Sequence, residues 1–288
     1  MELIFLGTGA AEGVPAAYCR CAVCQGVRQR GGVEIKTRSS LRVGPHHQID
    51  ISPDHYWQMI RAGTDMYDVE HVLVTHTHRD HFALSALCDK EMSQVLNGKP
   101  LSLYMSKPAK KYVEALIAHM SLSEEDMRWI DSNLVFHGLE YYQEYAIGGF
   151  SVRTIKGNHT AYGVNEYSIN YLLDLPHGKS LLYACDTGFY QEETWAYLAG
   201  KRVDTLILEC TFAGQTDRGE FPVGHLDLSS YLTMLRRMAG IGFIDARTAV
   251  FATHFNPHQG LDHFSIHDRL QQSPYRAAAA YDGMLVQV

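Results

Sequence analysis

Four side chains able to bind a divalent cation fall within six consecutive positions of the stretch LVTHTHRDHFAL, Leu73 to Leu84: His76, His78, Asp80 and His81. A borderline cation such as zinc takes neutral imidazole nitrogens and carboxylate oxygens at about 2.0–2.2 Å. Residues at i and i+2, followed by i+4 and i+5 on the next turn, can project two pairs of such donors into one pocket. A single histidine in such a loop could be a plain polar residue after a buried strand. The combination H-x-H-x-D-H is far more specific, and a metal site is expected here. A second cation needs donors from elsewhere in the chain. His159 in KGNHT, Asp186 in ACDTG and His254 in FATHF each follow an apolar strand-like run, which would set them on a shared rim of a sheet. Two cations roughly 3.5–4 Å apart could hold a hydroxide between them, because coordination lowers the pKa of water to about 7. Such a hydroxide could attack a phosphodiester in line.

A second cluster lies near the start. Cys19, Cys21 and Cys24 form C-x-C-x-x-C, and three thiolates this close make a tetrahedral zinc site short of one ligand. The alternative is three reduced thiols. Clustered thiols in a chain of 288 residues fit a reducing compartment better than a disulfide framework, so cytoplasm is the expected location. The opening residues show no signal-peptide pattern, and no run approaches the roughly 18 apolar positions of a membrane span.

The elements that must position these groups alternate. Strands are expected at Glu2–Leu6, Arg38–Val43, Gln48–Ile51, Val69–Thr75 and Leu101–Met105, and helices at Pro53–Arg61, Pro108–Met120 and Glu124–Ile130, the last behind a Ser123 cap. Phe150–Ile155, Tyr167–Leu173 and Ser180–Ala184 read as sheet, with a turn at His177 to Lys179. Beyond them come helix Glu192–Leu198, strand Thr205–Leu208, helix Leu228–Met238, strand Thr248–Ala252 and a last strand near Met284–Val288. No repeat or linker divides the chain, so one α/β domain over residues 1–288 is expected, sheets inside and helices outside. The glycine turn GTGAAEG after the first strand is one residue too long for a dinucleotide-binding G-x-G-x-x-G and leads into a cysteine cluster instead of a helix. Its glycines are expected to serve backbone geometry. The formal net charge of −7 argues against a general nucleic-acid or membrane surface.

The ordered series FLGTGAAEGVPAAYCRCAVC, Ile49–Asp50, THTHRDH, Asn158–His159, CDTG, GHLDL and THF resembles the metallo-β-lactamase-fold hydrolases, and among them the PhnP-like phosphodiesterases. The resemblance implies a four-layer αββα sandwich with two metals at one edge. It implies that His76, His78 and His159 hold one metal, Asp80, His81 and His254 the other, with Asp186 bridging them and Asp50 supporting the loop. It further implies that His258 is the fourth ligand of a structural zinc on the cysteines, although His258 stands four residues beyond His254, one more than the family pattern. His225, in PVGHLDL, matches a histidine near the metals, and becomes the candidate proton donor beside Asp80 in the catalytic set; the alternative is a solvent-facing histidine ahead of a helix. Leu84 replaces a glycine common after the motif, and Arg79 adds an unusual charge within it.

The expected function is hydrolysis of a small phosphodiester, a cyclic ribosyl or nucleotide phosphate. A tRNA 3′-processing nuclease, a thioester hydrolase and a non-catalytic metal- or ligand-binding protein are the alternatives. Histidine and carboxylate ligands suit zinc, manganese or iron. The partner expected is a small phosphate-ester substrate, without membrane or nucleic acid, and a homodimer is allowed for. Of the remaining polar residues, His263 and His267 are expected on an exposed helical face, Lys107, Lys110 and Lys111 on a solvated one, and Tyr162 and Tyr167 near the substrate.

Overall fold

The computed structural model describes residues 1–161, 165–215 and 217–288, and Tyr162 lies outside the described residues. The chain first builds β1 (Glu2–Gly7), β2 (Ser40–Val43), β3 (His47–Ile49), β4 (His71–Leu73), β5 (Leu101–Ser106) and β6 (Leu134–Leu139). It then crosses to β7 (Glu144–Ile147), β8 (Phe150–Thr160), β9 (Tyr167–Leu175), β10 (Lys179–Ala184), β11 (Thr205–Glu209), β12 (Ala249–Thr253) and β13 (Ala278–Ala279), and returns as β14 (Leu285–Gln287). The result is two seven-stranded mixed sheets, ordered β14-β1-β2-β3-β4-β5-β6 and β13-β12-β11-β10-β9-β8-β7.

Both sheets obey one plan. From β3 to β6, and from β10 to β13, neighbours are parallel. Parallel neighbours need crossovers, and the helices α1 (Ala22–Arg30), α2 (His55–Ala62), α3 (Leu84–Glu91), α4 (Lys107–His119), α5 (Glu124–Asn133), α6 (Glu192–Leu198), α7 (Leu228–Gly240) and α8 (His263–Gln271) lie largely in such connections. Side chains alternate across each strand, so each sheet buries two faces. Between the sheets, Leu3, Phe5, Leu41, Ile49 and Leu73 meet Val152, Tyr171, Leu173, Tyr183 and Phe251. On the outer face of the first sheet Val72, Leu103 and Met105 pack under Val113 and Ile117 of α4. On the outer face of the second, Leu182, Leu206 and Leu208 pack under Trp195, Tyr231 and Leu235. Helix, sheet, sheet, helix is the αββα sandwich of the metallo-β-lactamase fold.

Three expectations change. Val69–Thr75 is a strand only over His71–Leu73, because Val74 and Thr75 turn off to hydrogen-bond Tyr104 and Asp50. β8 runs to Thr160, so His159 lies in the strand, within a register shift between Lys156 and Thr160, and does not come after it. Helices α1 and α3 and strands β6 and β7 were not expected; they are short, and α3 lacks a side-chain cap. The glycine turn has the anticipated backbone role: a Cβ on Gly7 would meet the Arg38 carbonyl oxygen at 2.0 Å, and Gly13 sits at φ 68°. Among the described residues no helix is long and apolar enough to cross a membrane.

Candidate dinuclear metal centre

The candidate ligands leave the two sheets at the same edge, where parallel strands end and their carbonyl groups run out of partners. His76 to His81 follow β4, Asp186 follows β10, and His254 follows β12, all beyond the carboxyl ends of their strands. Ligands in open α/β sheets bind in the crevice outside those ends. Three of the turns are sharp enough to need a left-handed backbone at a non-glycine residue, with φ of 60° at Asp50, 50° at Asp186 and 62° at His254. Such positions cost of order 1–3 kcal/mol each and persist where surrounding structure fixes them.

The donor atoms converge. His76 Nε2 lies 2.9 Å from His78 Nδ1, and His159 Nε2 lies 3.1 Å from the same atom. His76 Nε2 and His159 Nε2 are 3.4 Å and 3.5 Å from Asp186 Oδ2. On the other side, His81 Nε2 stands 3.3 Å from His254 Nε2, while His254 Nε2 is 2.8 Å from Asp186 Oδ1 and His81 Nε2 is 3.4 Å from Asp186 Oδ2. Asp80 Oδ2 approaches His81 Nε2 at 3.2 Å and His254 Nε2 at 3.8 Å. Asp186 is thus shared by both sets. His81, Asp186 and His254 also group with the Cys185 thiol, which burial pushes well above its usual pKa and so keeps protonated.

The groups behind these rings fix which nitrogen is bare. His159 Nδ1 faces the Gly224 carbonyl oxygen at 3.1 Å, an acceptor only, so that nitrogen carries the proton. His81 Nδ1 faces Asp50 Oδ2 at 2.7 Å, and Asp50 is held in turn by the Thr75 amide and hydroxyl. Thr75 donates to Asp50 and therefore accepts from His76 Nδ1, 3.1 Å away. Thr211 likewise donates to Glu209 and accepts from His254 Nδ1 at 2.9 Å. These four Nε2 lone pairs consequently point at one another and at two carboxylates. That is an unfavourable arrangement for neutral rings alone and the proper one around divalent cations, whose histidine ligands donate their second N–H outward. The residues present fit two such cations.

Without a cation the centre divides electrostatically. Burial holds His76 and His78 below the ordinary histidine range and brings His159 down to about 4. Burial also opposes charge on His254 and His81, but Asp186 and Asp80 outweigh it, taking His254 to about 10 and His81 well above its usual value. Asp186 and Asp80 are penalised by burial and nonetheless held below the usual carboxylate range by the surrounding histidines.

His225 stands over this centre, its ring 4.7 Å from that of His159 and 5.4 Å from that of His254. It is not a solvent-facing histidine: Nδ1 lies 3.3 Å from Glu209 Oε2, and the ring lines a cavity of about 520 Å³ with Ala10, Arg79, Asp80 and Phe212. Burial disfavours its proton, Glu209 and Asp186 favour it, and the balance raises its pKa. Glu209 was missed in the sequence. It also accepts from the amides of Thr187 and Gly188, at 2.9 and 3.0 Å, so it fixes the loop after Asp186. The signal that picked out His254, a polar residue ending an apolar strand, would have found it in TLILEC.

The structure gathers Cys19, Cys21 and Cys24, all within 4.8 Å of one another through their sulfurs, but among the described residues His258 is not in that group. The extra residue behind Pro257 explains why. Asn256 Oδ1 accepts the His258 amide and winds 257–259 into a 3-10 turn that leaves His258 exposed. Two other expectations are corrected. His263 is buried, with Nδ1 3.2 Å from Lys36 Nζ, and Tyr167 lies under Lys156, whose Nζ is 4.3 Å from the ring centroid, away from the residues lining the metal pocket. Lys107 and Lys110 pair with Glu140 and Glu114 at the surface.

Comparison with known proteins bears on this centre. The family model described as "Anti-Pycsar protein Apyc1" matches residues 44–234, from the turn before β3 into α7. The chain belongs to that family. The matched span carries His76 to His81, His159, Asp186, Glu209 and His225, so the Apyc1 family relationship includes most of the centre. The chain is 26% identical to ribonuclease Z of Staphylococcus saprophyticus over 182 residues, 62% of this chain and 50% of that protein. It is 41% identical to an octanoyltransferase of Porphyromonas gingivalis over 85 residues, 28% of this chain and 16% of that protein. The chain therefore spans half or less of the length of these curated relatives. Among solved structures, a diphosphatase of the PhnP family superposes with a TM-score of 0.72 at 19% identity, covering 100% of this chain and 97% of the other. Zinc-bound PqqB of Methylobacterium extorquens gives the same TM-score and identity with full coverage of both chains. These likenesses establish the fold.

Proposed function

We propose that the protein is a divalent-metal-dependent phosphodiesterase that opens a small cyclic ribosyl or nucleotide phosphate. The observation that carries this reading is the ring of Nε2 lone pairs around Asp186 with a proton-bearing His225 beside it. His76, His78, His159 and Asp186 would hold one cation, and Asp80, His81, His254 and Asp186 the other. When bound, two such cations supply Lewis acidity toward phosphate oxygens and a water of lowered pKa. The chain's own residues supply the rest. With Nδ1 turned to Glu209, His225 carries its transferable proton on Nε2, and that proton goes to the ribose oxygen as the phosphorus–oxygen bond breaks. Asp80 fixes the second set of ligands, and the exposed Arg79 puts a positive charge at the pocket rim, where an anionic ester arrives.

A cavity of about 520 Å³ and a net charge of −7 suit a small ester better than a polynucleotide. The ribonuclease Z likeness supports a second reading, cleavage at the 3′ side of tRNA. Cys19, Cys21 and Cys24 we assign to a structural zinc. The backbone amides of Cys21 and Cys24 point at the sulfurs of Cys19 and Cys21, at 3.4 and 3.5 Å, as they would to support thiolates, and His258 lies outside their group. Such thiolates suit a reducing cytoplasm. Metal-replete enzyme should be assayed on 2′,3′- and 3′,5′-cyclic nucleotides, cyclic ribose phosphate, bis-p-nitrophenyl phosphate and pre-tRNA. Turnover of a small ester is expected; cleavage of pre-tRNA alone, or of nothing, defeats the primary reading. In the same preparation a triple Cys→Ser variant should lose one metal equivalent.

A further inference from the structure

Glu166 immediately precedes β9 and is 0% exposed. A carboxylate is costly to bury, and burial raises the pKa of this one to about 7. Among the described residues its Oε2 accepts the Thr77 hydroxyl at 2.6 Å, while Oε1 has no hydrogen-bond partner. Buried polar atoms are nearly always paired, so an acid kept in the interior for so few bonds calls for an explanation.

The position of Thr77 supplies one. It stands between His76 and His78, two of the three histidines assigned to one cation, so the bond to Glu166 anchors the stretch from which both rings project. The third, His159, is tied to Glu166 through the backbone. The Glu166 carbonyl oxygen accepts the Ala161 amide at 3.2 Å, and Thr160 pairs with Tyr167 across β8 and β9. Glu166 therefore joins the two segments, one from each sheet, that bring histidines to this cation. The other set is braced separately, His81 by Asp50 and His254 by Thr211. We infer that Glu166 is a positioning residue for one cation of the pair, holding His76 and His78 against His159 through its bond to Thr77. The inference rests on the two-cation reading of the centre. The bond needs an acceptor and not a charge, so the amide oxygen of a glutamine should serve equally.

The test is a titration of chelated full-length protein with Mn²⁺, which disfavours thiolates, followed by equilibrium dialysis and by the electron paramagnetic resonance of the bound ions. Two manganese ions sharing a carboxylate couple magnetically, whereas one ion alone gives the spectrum of an isolated centre. Wild-type protein should bind two equivalents and show the coupled spectrum. Outer partners of metal ligands typically contribute about 10–100-fold in affinity, so Glu166→Ala should weaken one equivalent by about tenfold, leave the other, and give the isolated spectrum at Mn²⁺ levels that fill both wild-type sites. Thr77→Val should do the same, and the double variant should be no worse than either alone, because both changes remove one bond. Glu166→Gln should keep both equivalents and the coupled spectrum. The melting temperature of each chelated variant checks folding, and Thr77→Val, a change of similar volume at a half-buried position, carries the test if Glu166→Ala does not fold. Undiminished binding of both equivalents in Glu166→Ala and Thr77→Val, or a loss in Glu166→Gln equal to that in Glu166→Ala, overturns the role given to Glu166. Failure of the wild-type protein to bind a coupled pair overturns the two-cation reading itself.

Discussion

Glu209 bears on more of the centre than any residue other than Asp186. One of its oxygens takes the amides of Thr187 and Gly188; the other faces Thr211, His225 Nδ1 and the Leu226 amide, so a single buried carboxylate ties the Asp186 loop to the His254 support and to the proton donor. Buried charge of this kind is tolerable only because every lone pair is used. A pH prediction belongs here. His225 must be protonated to donate, and Glu209 and Asp186 raise its pKa against the effect of burial. Activity should therefore fall as pH rises through that raised value. Glu209→Gln removes the main favourable charge and should move this alkaline limb to lower pH; His225→Ala should abolish the limb and cost roughly 10²–10⁴ in kcat. Metal content, measured alongside, should be unchanged in His225→Ala; an unaltered pH profile in both variants would refute the assignment. The inner candidate ligands were legible because H-x-H-x-D-H compresses them into six positions. Glu209 and Thr211 were not, since a lone acid or threonine after a strand gains meaning only from the groups that face it.

At the scale of elements, the site is made by where strands stop. β4, β10, β11 and β12 all end at one edge, and each ending gives way to a polar side chain on a tight turn. Sequence patterning located most strand endings, but it placed His159 after a strand when the chain keeps it within β8, in an irregular stretch where the register with β9 shifts. A bulge of that kind re-aims one side chain and leaves no mark in hydrophobic alternation. Helix α7 shows the reverse, a start written in the sequence. Asp227 caps it by accepting the Ser230 amide at 2.8 Å, Ser230 reciprocates, and the same Asp227 takes the Arg218 amide at 2.9 Å. Because His225 is two residues ahead of this cap, the cap holds the proton donor in place. Asp227→Ala should lower stability by about 1–2 kcal/mol in urea denaturation, and should lower kcat more than it raises KM. Asp227→Asn, which retains a capping oxygen, should recover most of both. A kcat that survives Asp227→Ala would show that His225 is positioned by Glu209 alone.

For the whole molecule, the candidate metal centre lies as a clasp between two sheets. His76, His78, Asp80 and His81 come from the first sheet, and His159, Asp186 and His254 from the second. Cations there would cross-link the halves of the sandwich and bind the folded chain alone, so at a thousandfold excess over Kd they add about 4 kcal/mol to its stability. Removal of metal by chelation should lower Tm, with recovery on adding zinc or manganese, and the recovery should weaken progressively as pH falls below the raised pKa values of His81 and His254, about 10 for the latter, where both rings hold their protons against the cation. A Tm indifferent to chelation would mean that these ligands hold nothing. The sequence by itself determined an α/β class and marked the candidate metal ligands, because these depend on local spacing, strand patterning and the intrinsic chemistry of histidine and aspartate; its family resemblance implied the αββα sandwich. Only the tertiary structure decided the Glu209–His225 pair and the exposed place of His258 outside the group of three cysteines. Each of these depends on which side chains meet across distant segments of chain, and that is settled by packing.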